Sequence, residues 1–254
     1  MFSVIKRKIK VLLNVVINLM TIKQSKNKLK KMKGAYKGER CFIIGNGPSL
    51  TVEDLEKIKR EKSFSSHRIY KIYNETDWRP TFYCIQDYIL TQQSEKEISK
   101  MPENSVSIVG KLVKNKYPCM KNFLSVGLKF YDFYPNLPEF SKDVCKGIIE
   151  GGSVTYMCLQ LAVYMGFKEI YLLGIDHSYS ATLDPDGKVQ HHDGVKDHFS
   201  EEDNITNVPV LYKSTLAYEA AKKYADEHGI RIYNATRGGK LEVFERVDFD
   251  SLTF

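Results

Sequence analysis

The 254-residue chain has five cysteines, an odd number, and no Cys-x-x-Cys pair. This reads as reduced thiols of a cytosolic protein rather than a disulfide scaffold. Cys41, Cys84 and Cys158 lie inside apolar runs, where cysteine acts as a small buried hydrophobe. No apolar run approaches the ~20 residues of a membrane-spanning helix. The N-terminal candidate, VIKRKIKVLLNVVINLM (4–20), is interrupted by Asn14 and Asn18, and it lacks the unbroken core and small-residue cleavage site of a signal peptide. No internal repeat or low-complexity tract is evident.

Acid is missing from residues 1–38, which hold 11 of the 38 basic residues; the rest carries 27 basic and 31 acidic residues. The formal charge of +7 therefore belongs to the N-terminal segment, and a mildly acidic body lacks the footprint of a nucleic-acid-binding domain. On helical spacing, Ile5, Ile9, Leu12, Val16 and Leu19 share one face, with Lys6, Lys10, Asn14 and Asn18 along another. This is a basic amphipathic helix of the kind that lies in an anionic membrane interface; packing on its own domain or on a second subunit is the alternative. The expected division is a basic amphipathic segment over 1–38, ending in a Lys-rich connector (22–38), and an α/β domain over 39–254.

Within the body, RCFIIG (40–45) reads as a buried strand and TVEDLEKIKREK (51–62) as a helix with Thr51 at its N-cap. SSHRIYKIY (65–73), TFYCIQD (81–87) and NSVSIVG (104–110) read as strands. The Pro-broken aromatic stretch 117–140 reads as an irregular insertion. GSVTYMCLQLAVYMGF (152–167) is a small-residue-rich helix closing at Gly166, and KEIYLLGID (168–176) is a strand of near-continuous apolar character, as strands buried on both faces are. LYKSTLAYEAAKKYADEH (211–228) is a helix ending at Gly229, followed by strand IRIYNAT (230–236). Alternating strands and helices predict an α/β, Rossmann-like, doubly wound and mostly parallel sheet.

CFIIGNGPSL (41–50) runs a strand into a small-residue turn. In such sheets ligands bind beyond the carboxyl ends of the strands. Gly45 and Gly47 let backbone approach a ligand, Pro48 stiffens the turn, and Ser49 offers a hydroxyl before a helix start suited to phosphate. Asn46 lies between the glycines. The turn is neither Gly-x-Gly-x-x-Gly nor a P-loop, and a tight turn without a ligand is the competing reading.

IIGNGPSL and GGSVTYMCLQLAVYMGFKEIYLLGID resemble the MptE-like family, 6-hydroxymethylpterin diphosphokinase-like proteins of bacterial surface-polysaccharide loci. They also resemble the related Campylobacter-type sialyltransferases that use CMP-activated sialic acid. The likeness covers roughly 40–250, and YNATRGGKLEVFERVDF (233–249) is closer to the MptE-like group. The resemblance implies a GT-A-like sialyltransferase variant of the fold. It implies nucleotide contacts at Gly45, Asn46, Gly47, Pro48 and Ser49. Ser153 would contact the nucleotide or a sugar carboxylate, and Gly174, Ile175 and Asp176 would lie beside the nucleotide. It also implies that His198 of DHF (197–199) is the general base. His67 stands where the sialyltransferases carry an asparagine near the sugar. Tyr179 and Tyr156 are candidate partners of the leaving group, with packing the alternative.

Four of the six histidines, His177, His191, His192 and His198, fall within 177–198 among several aspartates. A lid bearing a general base, a divalent-metal site using DPD (184–186), and a polar exposed loop all fit the spacing. A histidine near its ordinary pKa can take a proton from an attacking hydroxyl.

The expectation is an inverting glycosyltransferase using a nucleotide-activated, CMP-linked, sialic-acid-like donor and a glycan or lipid-linked acceptor. It would need no cofactor or metal, bind no nucleic acid, and work at the inner face of a bacterial membrane; the resemblance also implies a homo-oligomer. The alternatives are an ATP-dependent diphosphokinase, which would require Mg²⁺ with Asp176, Asp184 and Asp186 as candidate ligands, and a non-catalytic nucleotide-binding protein of a glycan pathway.

Overall fold

The computed structural model of the protein describes residues 23–98, 101, 106–110, 123–200 and 208–254. The amphipathic pattern at 5–19 lies outside them. Among the described residues no helix is long and apolar enough to cross a membrane.

The main sheet holds eight strands among the described residues. They are β1 (Arg40–Ile44), β2 (Ser63–Ser66), β3 (Phe82–Ile85), β4 (Val106–Gly110), β5 (Leu124–Val126), β8 (Glu169–Leu173), β11 (Arg231–Asn234) and β12 (Glu245–Arg246). Their order is β12-β11-β8-β1-β2-β3-β4-β5, and every pairing is parallel. The short strands β6 (Leu128–Lys129) and β7 (Ile148–Ile149) pair apart from it, as do β9 (Ala181–Leu183) and β10 (Val189–His191). The chain winds outward from β1 to β5, returns to β8 beside β1, and winds out the other way. This is the expected doubly wound architecture, with its switch point between β1 and β8.

Both faces of the central strands are buried, which is why β1, β3 and β8 read as apolar runs. Cys41 and Ile43 of β1 join one core with Phe64, Cys84, Ile170 and Leu172. Phe42 and Ile44 join the other with Tyr83, Ile85, Tyr171 and Leu173. Helices α5 (Val154–Met165) and α6 (Leu211–Glu227) cover the first face. The second is covered by α2 (Val52–Lys57) and a 3-10 helix over His67–Asn74.

Helix α5 is buried nearly all round, as a central helix must be to carry this much apolar surface. Its one fully buried amide, Gln160, accepts from the backbone N–H groups of Ser141 (3.1 Å) and Ile149 (3.0 Å) and donates to the carbonyls of Ile149 (2.9 Å) and Tyr156 (3.1 Å). Gln160→Leu keeps the volume but orphans those groups, at about 1–3 kcal/mol per buried polar group. The expected result is a thermal midpoint lower by at least roughly 5 °C, read by calorimetry.

Four local expectations change. The stretch 117–140, expected as an irregular insertion, supplies β5 at the edge of the main sheet and the short β6. The strand expected over 65–73 stops at Ser66, and residues 67–74 form the 3-10 helix, with Ile69 and Ile72 buried three apart. The helix expected over 51–62 spans only Val52–Lys57. The Lys-rich connector expected over 22–38 is, from residue 23, part of the folded body. Residues 23–32 are helical (α1), Leu29 is fully buried, and the amides of Gly34, Tyr36 and Gly38 bond to the carbonyls of Tyr164, Met165 and Gly166. Lysines there cover the surface while single apolar residues anchor the segment.

Candidate functional site

A cavity of about 1150 Å³ opens over the carboxyl ends of β1, β2, β3 and β8. Of the sequence-predicted residues, Gly45, Asn46, Gly47, His67, Ser153, Gly174, Ile175, Asp176, Tyr179 and His198 all line it. Pro48 and Ser49 do not. Ser49 instead donates to Asp176 Oδ2 at 2.7 Å. Tyr156 is a packing residue, its hydroxyl donating to the Glu139 carbonyl at 2.8 Å.

The two glycines of the turn answer to β8 before any ligand. The Gly47 amide bonds to the Gly174 carbonyl at 2.9 Å, and the Gly45 amide to the Leu173 carbonyl at 2.8 Å. A Cβ on Gly47 would lie 2.7 Å from the Gly174 oxygen, and one on Gly45 would overlap that same oxygen. Their smallness lets the ends of β1 and β8 meet. The expected phosphate seat at the following helix is also corrected. Helix α2 has six residues, and its start is closed by its own capping box, Thr51 with Asp54. Arg237 in turn binds both oxygens of the buried Asp54, at 2.7 and 2.8 Å. The twelve-residue α5 presents its N-terminus to the cavity instead, through Gly152, Ser153, Val154 and Thr155. Ser153 caps it, accepting from the Thr155 amide at 3.2 Å and lying 3.0 Å from the Tyr218 hydroxyl.

Among the described residues, the non-glycine positions with positive φ are His67 and His177, both at 51°. Left-handed backbone costs a non-glycine residue about 1 kcal/mol or more, and such strain gathers at functional sites. Each follows a strand end, and each lines the cavity. The Tyr83 hydroxyl, donating to the His67 carbonyl, holds the first. Burial lowers the pKa of both imidazoles to about 4, so both are neutral near pH 7. Thr215 donates its hydroxyl to the Leu211 carbonyl and so must accept from His177 Nε2, at 2.8 Å, which leaves Nδ1 with the lone pair.

The histidine-rich loop is a hairpin of β9 and β10 followed by a strap. Asp184 ties the tip, accepting from the amides of Asp186 (3.0 Å) and Lys188 (2.9 Å) and from Gln190 (2.9 Å). His191 is exposed, and His192 lies 3.0 Å from the Thr182 hydroxyl. Neither lines the cavity. The strap is pinned on both sides of His198. Asp197 accepts from the Ser180 amide and hydroxyl (2.6 and 2.8 Å), the Phe199 amide donates to the Asn46 carbonyl (3.0 Å), and Lys71 reaches Ser200 (3.2 Å). His198 is thereby held over the glycine turn, near enough to His67 for its charge to depress the pKa there. Among the described residues no three His, Cys, Asp or Glu side chains are grouped to hold a metal ion.

Sequence reasoning missed Arg68, Gln86, Asp87, Glu150 and Asp197, all of which line the cavity. Gln86 and Asp87 directly follow β3, and Glu150 follows β7 ahead of Gly151-Gly152-Ser153, so position at a strand's carboxyl end was the available signal. Burial raises the pKa of both Asp176 and Glu150. The arrangement can receive an anion at α5, offer hydrogen bonds to hydroxyls, and accept a proton on a neutral imidazole.

A family model described as 6-hydroxymethylpterin diphosphokinase MptE-like matches residues 13–182. No curated protein sequence matches the chain. Among solved structures, the MAf glycosyltransferase from Magnetospirillum magneticum AMB-1 is similar in fold, with a TM-score of 0.50 at 15% identity over 91% of this chain. The chain spans 39% of that protein. The family match takes in two thirds of the residues and both motif stretches of the cavity wall, so the chain belongs to the MptE-like family.

Proposed function

We propose that the protein is an inverting glycosyltransferase of a bacterial surface-glycan pathway, taking a CMP-linked, sialic-acid-like sugar. The observation that supports this most is the single cavity wall formed by the glycine turn, the α5 N-terminus and the strap holding His198. In this reading the amides and Ser153 hydroxyl at α5 receive the donor phosphate and the charge that builds on its departing oxygen. An acceptor hydroxyl attacks the anomeric carbon as the bond from that carbon to the phosphate oxygen breaks. The hydroxyl proton passes to His198, and CMP leaves. The basic N-terminal segment would bring the body to an anionic membrane surface carrying the acceptor. The family's name favours a second reading, diphosphoryl transfer from ATP. Of its three candidate Mg²⁺ ligands Asp176 lines the cavity, whereas the Asp184 carboxylate is tied into the exposed hairpin tip and, like Asp186, stands outside the lining. Thermal shift with nucleotides separates the two. CMP is expected to raise the midpoint in EDTA, by about 2.7 kcal/mol of added stability at a hundredfold excess over its dissociation constant. A shift that appears only with ATP and Mg²⁺ would overturn the glycosyltransferase reading, and no response to any nucleotide would favour a protein without nucleotide chemistry.

A further inference from the structure

Five buried side-chain polar atoms of the described residues have no hydrogen-bond partner, and three of them belong to residues that line the cavity: Asn46 Oδ1, His67 Nδ1 and Gln86 Oε1. The two amides are oriented alike. Asn46 donates its NH₂ to the Ser66 carbonyl at 3.2 Å, and Gln86 donates its NH₂ to Glu150 Oε1 at 3.2 Å. In each case the protein holds the donor end and leaves the carbonyl oxygen wanting a donor. The same Glu150 oxygen also accepts from the Gly152 amide at 2.8 Å, so a carboxylate of the chain stands beside the approach to α5. Buried acceptors without partners are costly, and natural sites keep them where a ligand completes them. Anions carry no donors and cannot complete these acceptors. Hydroxyl and amino groups carry donors and suit Asn46, Gln86 and Glu150.

We infer that Asn46, Gln86 and Glu150 form a subsite that reads the hydroxyl or amino groups of the transferred sugar and so sets which sugar is accepted. The inference rests on the nucleotide-sugar reading above and deepens it. It divides the cavity by chemistry: phosphate toward the α5 amides and Ser153, and the donor-rich part of the sugar toward Gln86 and Glu150. Glu150 is a specificity residue here, and no proton transfer is assigned to it.

The test measures affinities by calorimetry for CMP against CMP-N-acetylneuraminate and for UDP against UDP-N-acetylglucosamine, in the full chain and in Glu150→Gln and Gln86→Leu. In the unaltered protein one sugar-bearing form is expected to bind more tightly than its parent nucleotide. In both variants that sugar increment is expected to fall about tenfold or more, the scale of a lost hydrogen bond to a charged or buried acceptor, while affinity for the parent nucleotide stays within twofold. A preserved increment in both variants would overturn the subsite, as would equal loss of nucleotide and sugar-nucleotide binding, which would mark a structural role. Neither sugar adding affinity in the unaltered protein would also overturn it, with nucleotide binding left standing. No binding of CMP or UDP would remove the underlying reading and the subsite together. Circular dichroism of each variant separates a binding loss from a folding loss.

Discussion

Gly45→Ala is expected to lower the thermal midpoint by roughly 6–12 °C. The added methyl would overlap the Gly174 carbonyl oxygen, lie 2.9 Å from the Gly174 carbonyl carbon and meet Ile175 Cδ1 at 2.6 Å. A side-chain tip can rotate away, but the β8 backbone cannot, since Gly174 is fixed by its neighbour's pairing along β1 and by the Gly47 amide. Relief therefore requires prising the two central strands apart at their carboxyl ends. Overpacking of this kind costs about 3 kcal/mol, and a domain of this size loses about 2–4 °C per kcal/mol. Gly127→Ala is the control. A Cβ there meets only the Gly147 Cα, at 3.8 Å, an ordinary contact, so its midpoint should stay close to that of the parent. Equal midpoints for the two variants would show that the β1 and β8 ends do not meet as described. The same substitution should also weaken nucleotide binding, because the cavity floor is this junction.

His198→Ala is expected to lower acceptor-dependent transfer by about 10²–10⁴-fold, the usual span for removing a general base, while donor affinity measured by calorimetry stays within twofold. The split follows from position. His198 sits on the strap, fixed by Asp197 and Phe199 on either side, so the strap's anchors survive the loss of the imidazole. His191→Ala, on the exposed hairpin and outside the cavity lining, is the comparison and should leave transfer unchanged. Full transfer by His198→Ala would pass the base role to the other cavity histidines, His67 and His177, whose neutral rings can accept a proton. Loss of donor affinity in step with transfer would make His198 a binding group.

Much of this architecture was legible in the order of residues. The strands and helices around β1, α5, β8, α6 and β11 stand out because elements buried on both sides or all round must be apolar almost without interruption. The stretch 65–73 was misread because its β-branched and aromatic residues suit a strand, whereas Ile69 and Ile72 are buried at a spacing of three, the period of a 3-10 turn. His67 in left-handed backbone ends β2 there. The connector was misread because lysine-rich composition hides a single anchor such as Leu29.

Local sequence alone determined the parallel α/β sheet, the small turn after β1 and the glycine-closed end of α5, since these depend on periodicity and on glycines that act within a few positions. Tertiary structure alone decided which loops share one cavity, that the turn's glycines serve the junction with β8, and that Gln86, Asp87 and Glu150 join the wall. It also separated His198 and His177 from the exposed His191. The reason is that each of those facts is set by contacts between residues far apart in the chain, such as the Phe199 amide on the Asn46 carbonyl and Ser49 on Asp176, 127 positions away, and such contacts leave no periodic trace in the chain.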